Sequence, residues 1–334
     1  MELPGIKQKY FYTDSHRKMQ SIKIKFHLII LMVFVMNNLH YTEDKIKSKE
    51  GFINVTGGKV WYRIDGEGDK IPLLLLHGGP GVPSDYLNPL KELGKDRPVI
   101  FFDQPGCGRS DKITDSTLLT VDYFVEQVEE IREALDLKKF YLYGQSWGTM
   151  LGVDYYLKYP DKIKGIIFSS PCLSVDRWIQ DAKRLITQLP DTIQNAIRIN
   201  EENKTYNSPE YQLAMQVYYE NFIARKLPWS NDLVNAISNI DMNVYLTMWG
   251  PSEFNVTGVL KDFDRTNRLS EIKIPTLLMC GEFDEATPET VKYYHSLIPN
   301  SKFVVIKNSA HETMIDNPEE NNKAISDFLN ELEK

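Results

Sequence analysis

Six short apolar runs, set between polar and amphipathic stretches, constrain the fold of this chain more than any other feature. They are Ile71–Leu76, Pro98–Phe102, Phe140–Tyr143, Ile163–Phe168, Ile274–Cys280 and Phe303–Ile306. Each reads as a strand buried on both faces, which is the environment of a parallel sheet covered by helices. The intervening stretches are helical. Val121, Phe124, Val125, Val128, Ile131 and Leu135 recur at the 3.6-residue period and form one apolar stripe. Further helices are expected over Thr149–Lys158, from Pro288, and after Pro318. Ahead of the alternation, Phe52–Thr56 and Lys59–Ile64 read as a hairpin, because Gly57-Gly58 supplies the positive φ angles of a tight turn. The expected architecture is α/β, a mostly parallel doubly wound sheet. The alternation stops at Pro171 and resumes at Ile274, and the stretch Cys172–Asp262 is polar, aromatic and helical in pattern. The chain is therefore divided into a leader and linker (1–50), a core (51–171 and 263–334) and an inserted helical cap (172–262).

Composition narrows the function. Among 334 residues, 39 are basic and 46 acidic, a net charge of −7 with no basic patch, which argues against a nucleic-acid partner. Cys107, Cys172 and Cys280 lie far apart without C-x-x-C spacing, so free buried thiols are expected rather than zinc or disulfides. No cluster of His, Cys and carboxylates has ligand spacing, so neither metal nor other cofactor is expected. Near the start, Arg17, Lys18, Lys23 and Lys25 precede the apolar run Phe26–Met36, broken only by His27. Spanning a bilayer takes about 20 apolar residues, so this shorter run reads as a secretory leader. No A-x-A site or lipid-accepting cysteine follows, so the leader is also able to remain as a loose membrane anchor. The expected location is exported or membrane-anchored, with the cytoplasm as the alternative. Met19 is an alternative start.

Gly144-Gln145-Ser146-Trp147-Gly148 directly follows the run Phe140–Tyr143 and opens a helix, the strand-to-helix context in which a G-x-S-x-G pentapeptide presents a nucleophile. Ser146 needs a base. His16, His27 and His40 fall in the leader region, His77 ends a strand, and His295 lies within a helical pattern. His311, in the loop after the last strand, is the candidate. The acid that orients it is expected at Asp284, after the strand Thr276–Cys280, with Glu282 and Glu285 as rivals in the same loop. Ser, then Asp, then His is the chain order of the α/β-hydrolase arrangement. His77-Gly78-Gly79-Pro80-Gly81 follows another strand and reads as the oxyanion loop. Pro80 has no N–H. The donors are therefore expected to be the backbone N–H groups of Gly79 and of Trp147, the residue after the nucleophile, each contributing about 3 kcal/mol to the transition state.

Together with Asp103-Gln104-Pro105-Gly106-Cys107-Gly108-Arg109-Ser110 and Gly250-Pro251-Ser252-Glu253-Phe254, these motifs make the chain from about Phe52 onward resemble the proline iminopeptidases. These are serine aminopeptidases of the α/β-hydrolase fold. The resemblance implies release of an N-terminal residue, preferably proline, from short peptides through an acyl-enzyme. It also implies cap glutamates that hold the free amino group, assigned to Glu253 and, by rough position, to Glu220. A pyrrolidine pocket lined by Tyr86, Trp147, Trp249 and Phe254 is a further expectation. The alternatives are an esterase, lactonase or amidase acting on substrates without a free amine, and a non-catalytic binding protein on the same fold.

Overall fold

The computed structural model describes residues 46–334. The leader, with His16, His27 and His40, lies outside the described residues. No helix among the described residues is long and apolar enough to cross a membrane.

Strands β1 (Ser48–Val55) and β2 (Gly58–Asp65) pair antiparallel from Ser48↔Asp65 to Val55↔Gly58. Gly57 takes φ +96° in the turn. β1 begins ahead of the expected Phe52, because Ser48–Glu50 are exposed and held by backbone pairing, which leaves no apolar signature in sequence. Strands β3 (Leu73–Leu76) and β4 (Val99–Phe102) are wholly buried. Helix α1 (Val121–Ala134) starts where the Thr120 side chain accepts the Tyr123 N–H, and it buries the predicted stripe Phe124, Val125, Val128 and Ile131. Strand β5 (Phe140–Gln145), helix α2 (Trp147–Lys158) and strand β6 (Ile163–Ser169) complete the first half.

Five helices follow: α3 (Val175–Ile186), α4 (Asp191–Asn203), α5 (Pro209–Phe222), α6 (Asn231–Ser238) and α7 (Met242–Met248). They carry a core of their own, with Leu185, Ile197, Tyr211, Tyr218, Phe222 and Phe254 packed together. The sheet resumes with β7 (Thr276–Gly281), α8 (Pro288–Leu297) and β8 (Ser301–Ile306), then α9 (Thr313–Asp316) and α10 (Pro318–Leu332).

The eight strands lie in the order β1-β2-β4-β3-β5-β6-β7-β8, parallel from β4 to β8. Side chains alternate across this sheet. Leu74 and Leu76 pack with α1 and α2 residues on one face, while Leu73 and Leu75 pack with Tyr86, Leu87 and the α10 residues Phe328 and Leu329 on the other. The connection reverses direction between β3 and β5, which pair directly, Leu76 opposite Gly144. Sites in open α/β sheets form outside the carboxyl ends of strands at such a reversal. The segments after β3 and β5 hold the glycine loop and the serine pentapeptide, so topology alone brings those two motifs side by side. Cys107, Cys172 and Cys280 are free and buried.

Candidate active site

Ser146 occupies the turn between β5 and α2 with φ +53° and ψ −121°, a strained conformation for a residue with a side chain. The turn is possible because its flanks are glycines. A Cβ at Gly144 would lie 2.4 Å from the Gly148 carbonyl oxygen, and one at Gly148 would lie 2.1 Å from that of Leu76.

The glycine loop after β3 is pinned from several sides. The buried His77 ring donates from Nδ1 to the Gly78 carbonyl at 3.0 Å, and its Nε2 accepts the Gln104 N–H at 2.9 Å. Burial pulls its pKa down to about 4, so the ring is neutral and serves as a structural clip. The Gln104 side chain donates to the His77 carbonyl and accepts the Trp147 indole N–H at 2.8 Å, which ties the loop to the start of α2. Asp103 next to it is buried, accepts from Ser84 and forms an ion pair with Arg109 at 2.7 Å. The Gly78 N–H is already taken by the Tyr86 hydroxyl, which in turn donates to Gln145 Oε1 at 2.7 Å. The Gly79 N–H has no protein acceptor among the described residues, and the Trp147 N–H, at the first position of α2, has none within its helix.

After the last two strands, at the same end of the sheet, His311 Nδ1 lies 2.8 Å from Asp284 Oδ1. Asp284 is itself held by the Ala286 and Gly281 N–H groups at 2.8 and 3.0 Å and by the Ser170 hydroxyl at 2.6 Å. The backbone N–H groups of His311 and Glu312 donate to the Phe222 and Ile223 carbonyls at the end of α5, so the cap and the histidine loop are joined directly. The Trp178 ring of α3 packs edge-on against the imidazole at 5.5 Å.

Ser146, His311, Gly79 and Glu253 line one cavity of about 330 Å³, together with Glu285 and Glu312. Glu253 comes from the cap, where the Trp178 indole donates to its carbonyl and the Tyr245 hydroxyl donates to its Oε1 at 2.7 Å. Burial raises its pKa. Glu285 Oε2 accepts the Tyr218 hydroxyl at 3.0 Å, and burial with the nearby Glu253 charge pushes its pKa up strongly. Burial likewise lifts Glu312 to about 8. Its Oε2 is buried without a hydrogen-bond partner.

Two expectations from sequence are not met. Glu220 is not among the residues that line the cavity: it accepts from Gln216 one turn back on α5. The carboxylates that line the cavity beside Glu253 are Glu285, expected from sequence only as a rival for Asp284, and Glu312. The place of Glu285 directly after Asp284 was the available signal, because neighbours in a turn project to different sides. The aromatic pocket also differs. Tyr86 lines the cavity, but Trp249 packs against Trp178, Phe254 against Tyr211 and Tyr218, and Trp147 against Phe124. The walls are Val82 from the loop after β3, Tyr219 of α5, Leu233 of α6, Ile240 from the link that follows it, and Met242 and Tyr245 of α7, a set that only folding brings together.

Comparison with known proteins agrees with this geometry. A family model described as alpha/beta hydrolase fold matches residues 71–318. The proline iminopeptidase of Heyndrickxia coagulans is 49% identical over 287 residues, covering 85% of this chain and 99% of that protein. That of Thermoplasma volcanium is 36% identical, covering 85% and 97%. Among solved structures, VinJ superposes with a TM-score of 0.82 at 33% identity, covering 85% of this chain and 99% of that one. The proline iminopeptidase of Mycobacterium smegmatis gives 0.80 at 29% identity, covering 85% and 98%. Matched by relatives of this identity over nearly their whole length, the chain belongs to the proline iminopeptidase family of α/β hydrolases.

Proposed function

We propose that this protein is a serine aminopeptidase that removes an N-terminal residue, preferably proline, from short peptides with a free amino terminus. The observation that carries this reading is the shared cavity: the nucleophile Ser146 and the base His311 face the same space as two carboxylates, the half-buried Glu253 and the buried Glu285. An α-amino group with a pKa of about 8 is mostly charged at neutral pH. Placed between these carboxylates, it gains charge-assisted hydrogen bonds that a blocked or chain-internal residue cannot make. Its carbonyl carbon then lies one residue's length from the anchor, at Ser146, which restricts cleavage to the first peptide bond.

The chemistry follows from the groups in place. Ser146 Oγ attacks the carbonyl as His311 Nε2 takes its proton, with Asp284 holding Nδ1–H and so fixing the tautomer. Charge on the former carbonyl oxygen is received by the Gly79 and Trp147 N–H groups. His311 passes its proton to the leaving amine as the C–N bond breaks, and water then attacks the acyl-enzyme by the same base. The proline preference is supported by a cavity walled by tyrosine and aliphatic side chains, suited to a compact apolar ring. The test compares L-prolyl arylamide with its N-acetyl counterpart. Hydrolysis of the first alone is expected; similar rates on both overturn the peptidase reading in favour of an esterase or amidase.

The positively flanked apolar leader supports export or loose membrane attachment. Fractionation of cells expressing the full chain tests this, and activity confined to the cytosol refutes it.

A further inference from the structure

The cavity has two chemically unlike parts. Glu253 and Glu285, with the Tyr245 and Tyr218 hydroxyls that hold them, make the part assigned above to the amine. Ile223, Ile237 and Met242 also line the cavity, and all three are apolar. Ile223 flanks the histidine loop, because its carbonyl accepts the Glu312 N–H at 2.8 Å. Met242 stands beside the glycine loop, because the preceding residue, Asp241, donates its N–H to the Gly81 carbonyl at 2.8 Å. Ile237 and Met242 are 37% and 48% exposed although they line the cavity, so they mark where it opens to solvent. Gln212, also exposed there, is uncharged. Among the described residues no lysine or arginine lines the cavity. The Lys112 ammonium that reaches the start of α7 is taken by Asp241 at 2.9 Å.

We propose that Ile223, Ile237 and Met242 form the subsite for the side chain of the substrate's second residue, and that the enzyme selects peptides in which this residue is large and apolar. This rests on the aminopeptidase reading above and narrows its substrate class. With the amine at the carboxylates and the carbonyl at Ser146, the part of the substrate beyond the scissile bond departs on the His311 side. The Nε2 that takes the Ser146 proton has to hand it to the leaving nitrogen. The chain advances about 3.5 Å per residue, so the second side chain follows directly, between the nucleophile and the opening. An apolar side chain there removes Ile237 and Met242 from water along with its own surface, and the gain grows with the area covered. An aspartate in the same place gives up hydration in front of apolar walls, with no lining cation to receive its charge. The three residues take no part in proton transfer; they determine specificity.

The test measures proline release from Pro-Leu-NH2, Pro-Asn-NH2 and Pro-Asp-NH2 by the unmodified enzyme. Asparagine has the shape of aspartate without its charge, so the series separates the two effects. The leucine peptide is expected to exceed the asparagine peptide about tenfold in kcat/KM, with the aspartate peptide lowest. Equal values for the three overturn the subsite and leave the aminopeptidase reading standing; hydrolysis of none overturns both. Ile237→Lys then places a cation at the opening, away from the carboxylates and the triad. It is expected to shift the leucine-to-aspartate ratio about tenfold toward aspartate. Ile237→Ser, a smaller change at an exposed position, is expected to lower the leucine-to-asparagine ratio about threefold. Damage to folding lowers all three peptides alike and leaves these ratios where they were, so ratios unmoved in both variants refute the place given to Ile237.

Discussion

Replacing Glu253 with glutamine changes one charge and almost nothing else. The side chain is half-buried in the cap wall, and its Oε1 accepts the Tyr245 hydroxyl at 2.7 Å, a bond that the amide oxygen of glutamine is equally able to accept. The loss is therefore confined to the substrate ammonium. Hydrogen bonds to charged groups contribute about 1.5–3 kcal/mol, and removing one side of a buried charge pair costs about 2–5 kcal/mol. With Glu285 still present, a loss of about 3 kcal/mol is expected for Glu253→Gln, or roughly a hundredfold in kcat/KM on prolyl arylamide. A small aryl ester has no amine to lose, and its kcat/KM should stay within about twofold. Stability should move the other way. Burial raises the Glu253 pKa, which means the folded protein holds the charged form at a cost, and a neutral isostere removes that cost. Urea unfolding is expected at the same or a higher midpoint with an unchanged slope. Equal losses on the two substrates, or a clearly lowered midpoint, would refute the assignment of Glu253 to the amine and make it a structural partner of Tyr245.

Other consequences are equally open to measurement. Ser146→Gly should abolish turnover and yet stabilise the fold by about 1 kcal/mol, because glycine relieves the strain at φ +53°; a lowered melting temperature contradicts the strained turn. Tyr86→Phe leaves the Gly78 N–H and Gln145 Oε1 without their shared partner, and it should lower kcat about tenfold through a looser oxyanion loop; an unchanged kcat shows that His77 and Gln104 hold the loop without Tyr86. For His77 the folded pKa of about 4 lies below the unfolded value near 6.5. Its contribution to stability is therefore complete above pH 6.5 and is lost as the pH falls, by about 3 kcal/mol at pH 4. Ring NMR shifts should show this histidine still neutral at pH 5, and a ring titrating near 6.5 refutes the clip.

The sheet and much of the candidate site were legible because their signals are local. A strand buried on both faces reads as a continuous apolar run, and the five residues Gly144–Gly148 directly after one are enough to specify a turn that only glycine flanks permit. Asp284 and His311 were readable for a related reason, since each sits in the loop that follows a recognisable strand. The start of β1 was not, because exposed residues held by backbone pairing carry no pattern.

The cap shows where such reading ends. A helical period says which residues share a face without saying what that face meets. Glu220 and Tyr219 are neighbours on α5, yet only Tyr219 lines the cavity. Trp249 and Phe254 were equally plausible as pocket walls, but they went into packing against Trp178, Tyr211 and Tyr218. The chain by itself determined the order of strands and helices, the serine turn, and the loops that carry the candidate acid and base, because backbone sterics and hydrophobic period act over a few residues. Only the tertiary structure decided that Glu285 joins Glu253, and that four carboxylates gather around one imidazole. Burial and Coulomb interaction depend on distances through space, and no spacing along the chain encodes those.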